Sequence, residues 1–566
     1  MVVKALSPKL SRQQISIALT IIAILLWSHS VLYANFEIGF WGLIHSLPLT
    51  FFLALAILTV ASAILWVAKE NHGRLLCFQL LLMVCAMWSI PVVIGGSPPV
   101  INHAYRNVQY INYIAETGHI SAATDIYFSW PGVFFISTPI VLVGALTCLE
   151  PLFDLMPLLM QLLYLLPLYL FLRNTLGQQR LNYCWAGCWL FYLAQWPPQD
   201  YFSTQGVALL MLLVLLALVT STWLWQKGPK SVTALSLMVV VFAALTITHL
   251  LTSIVALLMI AAFALFKKSL RLMPVIAVFL VLMAGWNLTG AGSVVVSYTS
   301  RVLTPVITEP TGLGSLILGP DAMTEVQITS RLTGSPSHIA VGKMRILFSA
   351  IFTLIGALGA IWVCLIKREY RVGLPLLAIA VVSLALVPLQ PFSYAGEILQ
   401  RLYILLLAPM AYFGARLLEI RSRAVIPVFC FILALAVPLH LVAYYGNQKL
   451  DYYSPAQVAG VEFFQRTSMP GYLTKVYPTG GMSYLGRYSG ISLRRLDDFI
   501  SNYQLSGTGL PHYVGLTRQA EAYYQFIELD AVIISQTVEK LSRSGYNLVY
   551  DSSDLRLFVF QIKDSR

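Results

Sequence analysis

The chain of 566 residues is 58% hydrophobic and only 11% charged. Soluble domains carry about 25% charged residues, so an ordinary soluble protein is excluded and a polytopic membrane chain is indicated. The net charge of +12 does not point to nucleic acid, because the cations sit between apolar runs. Lys4, Lys9 and Arg12 precede the first run. Lys69 and Arg74, Lys227 and Lys230, Lys267, Lys268 and Arg271, Lys367, Arg368 and Arg371, and Arg416, Arg421 and Arg423 occupy short connections. Cytoplasmic loops facing anionic lipid heads have this distribution.

A spanning helix takes about 20 apolar residues. In chain order, spans are expected at 14–34, 42–68, 74–95, 153–172, 181–196, 205–225, 231–248, 250–266, 273–290, 344–366, 372–389, 400–418 and 424–444. The first run lacks an A-x-A cleavage site and is expected to be retained. The apolar segment 131–149 poses a parity question. If it spanned, Arg173 and Arg180 and every later basic connection would change sides, so it is expected to be an interfacial or re-entrant helix. That leaves about thirteen spans, a cytoplasmic N-terminus and an external C-terminal tail. All seven cysteines (Cys77, Cys85, Cys148, Cys184, Cys188, Cys364, Cys430) lie in or beside apolar runs, which argues against a disulfide framework and a CxxC metal site.

The first long polar stretch, SPPVINHAYRNVQYINYIAETGHISAATDIYFSWPG, belongs to an external loop at about 96–130. It concentrates His103, Arg106, Glu116, His119, Asp125 and Trp130. Asn102 suits a helix start and Gly118 a helix end. Between them Ala104, Val108, Ile111 and Ala115 share one helical face, while His103, Arg106, Tyr110 and Tyr113 share the opposite one. An amphipathic helix at the membrane surface is expected. Further external segments carry Gln199 and Asp200 in WPPQDYFSTQ, His249, Asp321, Glu325 and Arg331, and Glu397 with Arg401 in GEILQR. Ionisable groups at span mouths are expensive in lipid, so a shared external cavity is expected. The tail 448–566 changes regime and reads as a small external α/β domain. SPAQVAGVEFFQ starts a helix at Ser454, LDAVIIS reads as a buried strand, and SQTVEKLSRSG reads as a helix stopped by Gly545. YNLVY and LRLFVFQI read as strands around DSSD. Neither GxGxxG nor a Walker pattern is present, which argues against ATP-driven coupling.

A juxtamembrane helix in the first large external loop, followed by ETGHI, a further acidic residue and a WPG turn, resembles the C-type (GT-C) membrane glycosyltransferases of bacteria and archaea. QDYFSTQ, GEILQR and the YDSSDLRLF hairpin look like pieces of the same branch. The resemblance implies a polytopic fold that transfers a sugar from a polyprenyl-phosphate carrier to a glycan, lipid or protein acceptor on the outer face of the plasma membrane. It departs from the family pattern in two places. Asn102 and His103 stand where an early acidic residue, the family's base or metal ligand, is usual, and Thr204 stands where the branch usually has proline. Participation of a divalent metal is therefore open.

Transfer from a lipid phosphate needs a base for the acceptor hydroxyl, cations for the departing phosphate and a water-poor cavity. The candidate catalytic residues are Asp125, Glu397 and His103. Candidate substrate-binding residues are Arg106, His119, Gln199, Asp200, His249 and Arg401, with Arg106 and Arg401 as the phosphate forks; Asp200 is also a candidate base. Plainer readings stand beside these. Glu397 and Arg401, at i and i+4, pair with each other; Asp125 caps the turn at Ile126; His249 is a satisfied core histidine. Trp130 and Tyr127 suit a sugar face or an interfacial anchor. Two other functions compete with transfer. A flippase for lipid-linked saccharides would need broken helices and polar residues at the midplane, where the spans read as clean. A catalytically silent scaffold subunit is allowed by the missing early carboxylate.

Overall fold

The computed structural model describes residues 11–94, 103–120, 126–144, 150–201, 203–297, 334–386, 398–420, 425–467, 474–477, 492–493, 513–530 and 532–560. The protein is an all-α polytopic membrane protein with a small α/β unit at its C-terminal end. Its longer helices are α1 (Arg12–Tyr33), α2 (Leu49–Trp66), α3 (Gly73–Trp88), the amphipathic α4 (His103–Thr117), α5 (Gly132–Gly144), α6 (Glu150–Leu176), α7 (Leu181–Ala194) and α8 (Thr204–Thr220). They continue with α9 (Pro229–Thr246), α10 (Leu250–Phe266), α11 (Met273–Thr289), α12 (Pro336–Ile361), α13 (Tyr370–Ala385), α14 (Ile398–Arg416) and α15 (Val425–Tyr445). Every expected span overlaps one of these helices. Among the described residues, eight helices are long and apolar enough to cross a membrane.

Boundaries differ where a local cap wins over hydropathy. The span expected from 42 begins at Leu49, because Gly42 has φ +59° and Pro48 precedes the helix. The run expected through 225 breaks at Ser221, whose side chain caps a separate turn at Trp223. The helix expected from 344 starts at Pro336, capped by Ser335 at the His338 amide.

Side-chain contacts fix which connections share a face. Asn182 accepts from the His72 amide (3.1 Å) and donates to the carbonyls of Leu65, Ala68 and Glu70. Arg12 donates to the Val67 carbonyl, Arg180 pairs with Glu419 at 2.9 Å, and Arg416 pairs with Glu369. Arg271 donates to the carbonyls of Trp225 and Gln226. These connections form one basic face. At the opposite face the tail meets the first turn and the start of α12: Phe36 lies against Tyr452, Lys449 sits over the Phe526 ring, and the Ser335 amide donates to the Phe526 carbonyl (2.6 Å).

The helix α3 ends at the opposite face, where the Tyr445 hydroxyl donates to the Met87 carbonyl (2.8 Å). The helix α6 finishes at the basic face, where Asn174 donates to the Ala217 carbonyl near the end of α8 (3.1 Å). The last turns of α3 and α6 therefore lie at opposite faces.

The spans are not clean, contrary to their reading from hydropathy. Gln79 is fully buried in α3 and donates to Ser16 and Thr20 while accepting from Ser62. Gln161 in α6 and His440 in α15 are also buried, the latter bonded to the Leu193 carbonyl at 2.8 Å. Gln79 and His440 join neighbouring helices, the use of polar side chains that holds bundles together in lipid, while the Gln161 side chain reaches Asp200 in the connection after α7. Close approach contributes too: a Cβ at Gly359 in α12 would meet the Phe413 carbonyl of α14 at 2.0 Å.

The C-terminal unit begins with α16 (Pro455–Thr467), capped by Ser454 at the Gln457 amide. Its sheet has the order β2-β1-β3-β5-β4, with β1 Thr474–Tyr477, β2 Ser492–Leu493, β3 Tyr513–Thr517, β4 Tyr546–Asp551 and β5 Leu555–Phe560. The β1 contacts are parallel; those of β5 are antiparallel. Val514, Leu516 and Phe558 pack on one side with Ile533, Ile534 and Leu541, while Leu555 and Leu557 pack on the other with Val461 and Phe464. That alternation is the period of two expected of a sheet covered on both faces. The segment LDAVIIS, expected to be a strand, instead opens the helix α18 (Val532–Arg543), which follows the short α17 (Arg518–Tyr523). Asp530 accepts from the amides of Val532 and Ile533, and Ile533, Ile534, Thr537 and Leu541 make a helical stripe. The N-terminal cap and this stripe outweigh the β-branched run. Gly545, with φ +82°, ends the helix as expected.

Candidate active site

The helix α4 forms as expected and ends at Gly118, with φ +71°. It buries Ala104, Asn107, Tyr110, Ile111 and Ile114. Tyr110, expected on the polar face, is only 1% exposed. The chain folds back over it, placing the rings of Phe128 and Phe134 at 5.1 and 5.0 Å. Arg106 donates to the Tyr127 hydroxyl (3.0 Å), with its guanidinium 4.2 Å from that ring's centre. His119 is exposed; its Nδ1 lies 3.0 Å from the Thr117 carbonyl and its Nε2 3.4 Å from the Tyr113 hydroxyl. His103 opens α4. Asp125 and Glu397 lie outside the described residues, as do Asn102, Asp321, Glu325 and Arg331.

From Tyr127 a sequence of contacts runs across the opposite face. Trp286 donates to the Ser129 carbonyl (3.0 Å), and the Gly132 amide donates to the Ile247 carbonyl (2.9 Å). A Cβ at Gly132 would lie 2.3 Å from the Thr248 hydroxyl, so this approach requires glycine. Two residues on, His249 caps α10, its Nδ1 accepting from the Thr252 amide at 3.3 Å. An accepting Nδ1 leaves the proton on Nε2. Burial first, and then the charge of Arg401, lowers the His249 pKa to about 3, so the imidazole is neutral. The carbonyl of Arg401, in the first turn of α14, accepts from Gln205 in the first turn of α8 (3.4 Å). The turn holding Gln199 and Asp200 leads directly into α8, with the Gln199 carbonyl bonded to the Ser203 hydroxyl at 2.6 Å. Arg106, His249, Arg401, Gln199 and Asp200 thus belong to connected elements of one face.

Asp200 is fully buried in the connection between α7 and α8. One carboxylate oxygen accepts from Gln161 (2.8 Å), the other from the Tyr444 hydroxyl (2.7 Å). Burial pushes its pKa up to about 6 despite both donors. A carboxyl raised in the folded state contributes most at low pH, and that contribution is lost as pH rises through about 6. Asp200→Ala should cost about 1–3 kcal/mol for each donor left unpaired. Asp200→Asn should be tolerated, because the Gln161 oxygen, without a hydrogen-bond partner here, can turn to accept from the new amide. Its advantage over the wild type should grow between pH 5 and 7. Thermal unfolding in detergent across that range checks both outcomes.

Sequence reasoning missed Gln161 and Tyr444. Gln161 carried a signal, a lone amide inside the apolar run LLMQLLY; Tyr444 carried none, since aromatics at span ends are ordinary. Arg345 of α12 was missed too. It lies 5.2 Å from the centre of the Trp196 ring and donates to the Ala443 carbonyl (2.8 Å). Among the described residues no three His, Cys, Asp or Glu side chains gather as a metal site would require.

This arrangement of apolar helices followed by a small α/β unit is a fold found among solved membrane proteins. Among solved structures it is similar to ArnT from Cupriavidus metallidurans bound to undecaprenyl phosphate, with a TM-score of 0.51 at 11% identity, covering 86% of this chain and 98% of that one. The oligosaccharyltransferase of Archaeoglobus fulgidus in complex with zinc and sulfate matches with a TM-score of 0.48 at 13% identity, over 86% of this chain and 74% of that one. No protein-family model matches the sequence, and no curated protein matches it.

Proposed function

We propose that the protein is a membrane glycosyltransferase that takes a sugar from a polyprenyl-phosphate carrier and transfers it to an acceptor at the extracytoplasmic face. The observation that carries this reading is the single face on which the α4 unit, the His249 turn, the start of α14 and the Gln199–Asp200 turn are joined, in a GT-C-like fold. Arg106 and Arg401 supply planar, permanently charged forks suited to phosphate oxygens. Neutral His249, with a proton on Nε2, suits a sugar hydroxyl or phosphate oxygen better than a role as counter-cation. Asp125, Glu397 or His103 supplies the base for the acceptor hydroxyl.

A photoactivatable polyprenyl phosphate should label the segments 103–130 or 398–416, be displaced by unlabelled polyprenyl phosphate, and label Arg401→Gln several-fold less. Labelling that ignores both competitor and substitution contradicts the proposed site. Orientation is checked separately. The basic connections share one face, so positive-inside asymmetry turns the whole set together, and a reporter fused at Arg566 should behave as translocated. A cytoplasmic signal would reverse the assigned sides.

A further inference from the structure

On the basic face, away from the proposed mouth, the ends of α8, α9, α10, α11 and α13 bring cations together with indole rings. Lys267 lies 4.0 Å from the centre of the Trp225 ring and Lys230 5.9 Å from that of Trp223. Arg271 donates to the carbonyls of Trp225 and Gln226 at 3.1 and 3.2 Å, tying the two basic connections to each other. Arg371, at the start of α13, is near enough for its charge to act on Lys267. These charges lack local compensation. No Asp or Glu occurs between Asp200 and Glu309. Among the described residues none of these four cations has a carboxylate within ion-pair distance, whereas Arg180 and Arg416 on the same face are paired with Glu419 and Glu369.

Lys267 is half-buried, and burial followed by the charge of Arg371 lowers its pKa to about 8. An anion seated here would relieve that strain. The apolar surroundings say what kind of anion. Leu265 and Leu270 are 70% and 84% exposed, and Trp223 and Met273 are also open. A ligand for this patch must meet cations at one end and bare apolar helix ends at the other, which is the chemistry of an anionic phospholipid rather than a free phosphate.

We propose that Lys230, Lys267, Arg271 and Arg371, flanked by Trp223 and Trp225, form a binding site for the headgroup of an anionic phospholipid of the adjoining leaflet. The charged phosphate lies among the four cations, the indoles bracket the glycerol region, and the acyl chains run along α10 and α11. The site is independent of sugar transfer, so its test reads lipid retention rather than activity.

The full chain, purified in mild detergent and stripped of lipid, is offered an equal mixture of phosphatidylglycerol and phosphatidylcholine. Bound lipids are then counted by native mass spectrometry. The wild type should retain phosphatidylglycerol preferentially. Lys267→Gln with Arg271→Gln should weaken that retention by roughly fivefold for each cation removed. Lys230→Gln, at an exposed position where folding is not at risk, should show the single-cation effect. Lys69→Gln with Arg74→Gln makes the same change in charge on the same face, away from the indoles, and should leave retention unchanged. Equal loss in that control would replace the site with diffuse charge. Absence of preference in the wild type, or full displacement by inorganic phosphate, would overturn the proposal.

Discussion

Arg416→Met should lower stability by about 3–5 kcal/mol, the range for breaking a buried ion pair from one side. Arg416 is fully buried at the end of α14. Two of its nitrogens meet the two oxygens of Glu369 at 2.7 Å each, while Glu419 is reached at 2.5 and 3.0 Å and the Tyr412 hydroxyl at 3.1 Å. Without the guanidinium, Glu419 keeps only Arg180, and Glu369 must recover its hydration at the surface. Glu369 is partly open, which places the expected loss towards the lower end of the range. The double substitution Arg416→Met with Glu419→Gln should recover part of it. Hydrogen bonding to Arg416 holds the Glu369 carboxyl below its ordinary value. Its contribution is therefore complete above that ordinary value and lost as pH falls through the lowered one. Thermal unfolding in detergent should show the wild type losing this margin in acid while Arg416→Met has none of it to lose.

The second large effect falls on catalysis. Asp125→Asn changes charge at nearly constant volume and should reduce sugar transfer by roughly 10²–10⁴-fold, the usual worth of a positioned base. Expression and membrane insertion should be unchanged. Asp125 belongs to the loop between α4 and the turn carrying Tyr127, to which Arg106 is bonded, so a carboxylate there is close in sequence to a phosphate fork. It could also hold His103 in its basic tautomer. Glu397→Gln should do less if its role is to pair with Arg401 four residues on. Full activity in Asp125→Asn, in Glu397→Gln and in the double variant would remove both as bases and leave His103 or Asp200.

The spanning helices were legible because lipid solvation demands long apolar runs, and each run contains a helix. Their ends were less so: Pro48, Ser221 and Ser335 act through caps and turns that hydropathy averages away. Whether 131–149 crosses was a question that charge parity could pose, since the segment is apolar yet its crossing would change the side of every later basic connection. In the tail, β4, β5 and their turn stood out by alternation, while β1 and β2 are too short to show a period and LDAVIIS misled through its β-branched residues. At the candidate site the polar residue types were visible, but their partners were not. Gln161, Asp200 and Tyr444 meet across three separate regions of chain, and no local pattern encodes that meeting. Tyr110 looked polar because its neighbours on the helix are polar; only the fold-back of Phe128 and Phe134 turns it inward.

Incubation of the reconstituted protein with radiolabelled polyprenyl-phosphate sugars and membrane-derived acceptors tests the central claim most directly. Label should leave the carrier and appear covalently on an acceptor, leaving free polyprenyl phosphate. Arg401→Gln, which keeps the Gln205 contact to the backbone carbonyl, should reduce that transfer by at least tenfold. Carrier-bound label that moves across the bilayer without leaving its lipid would contradict the account and establish a flippase instead.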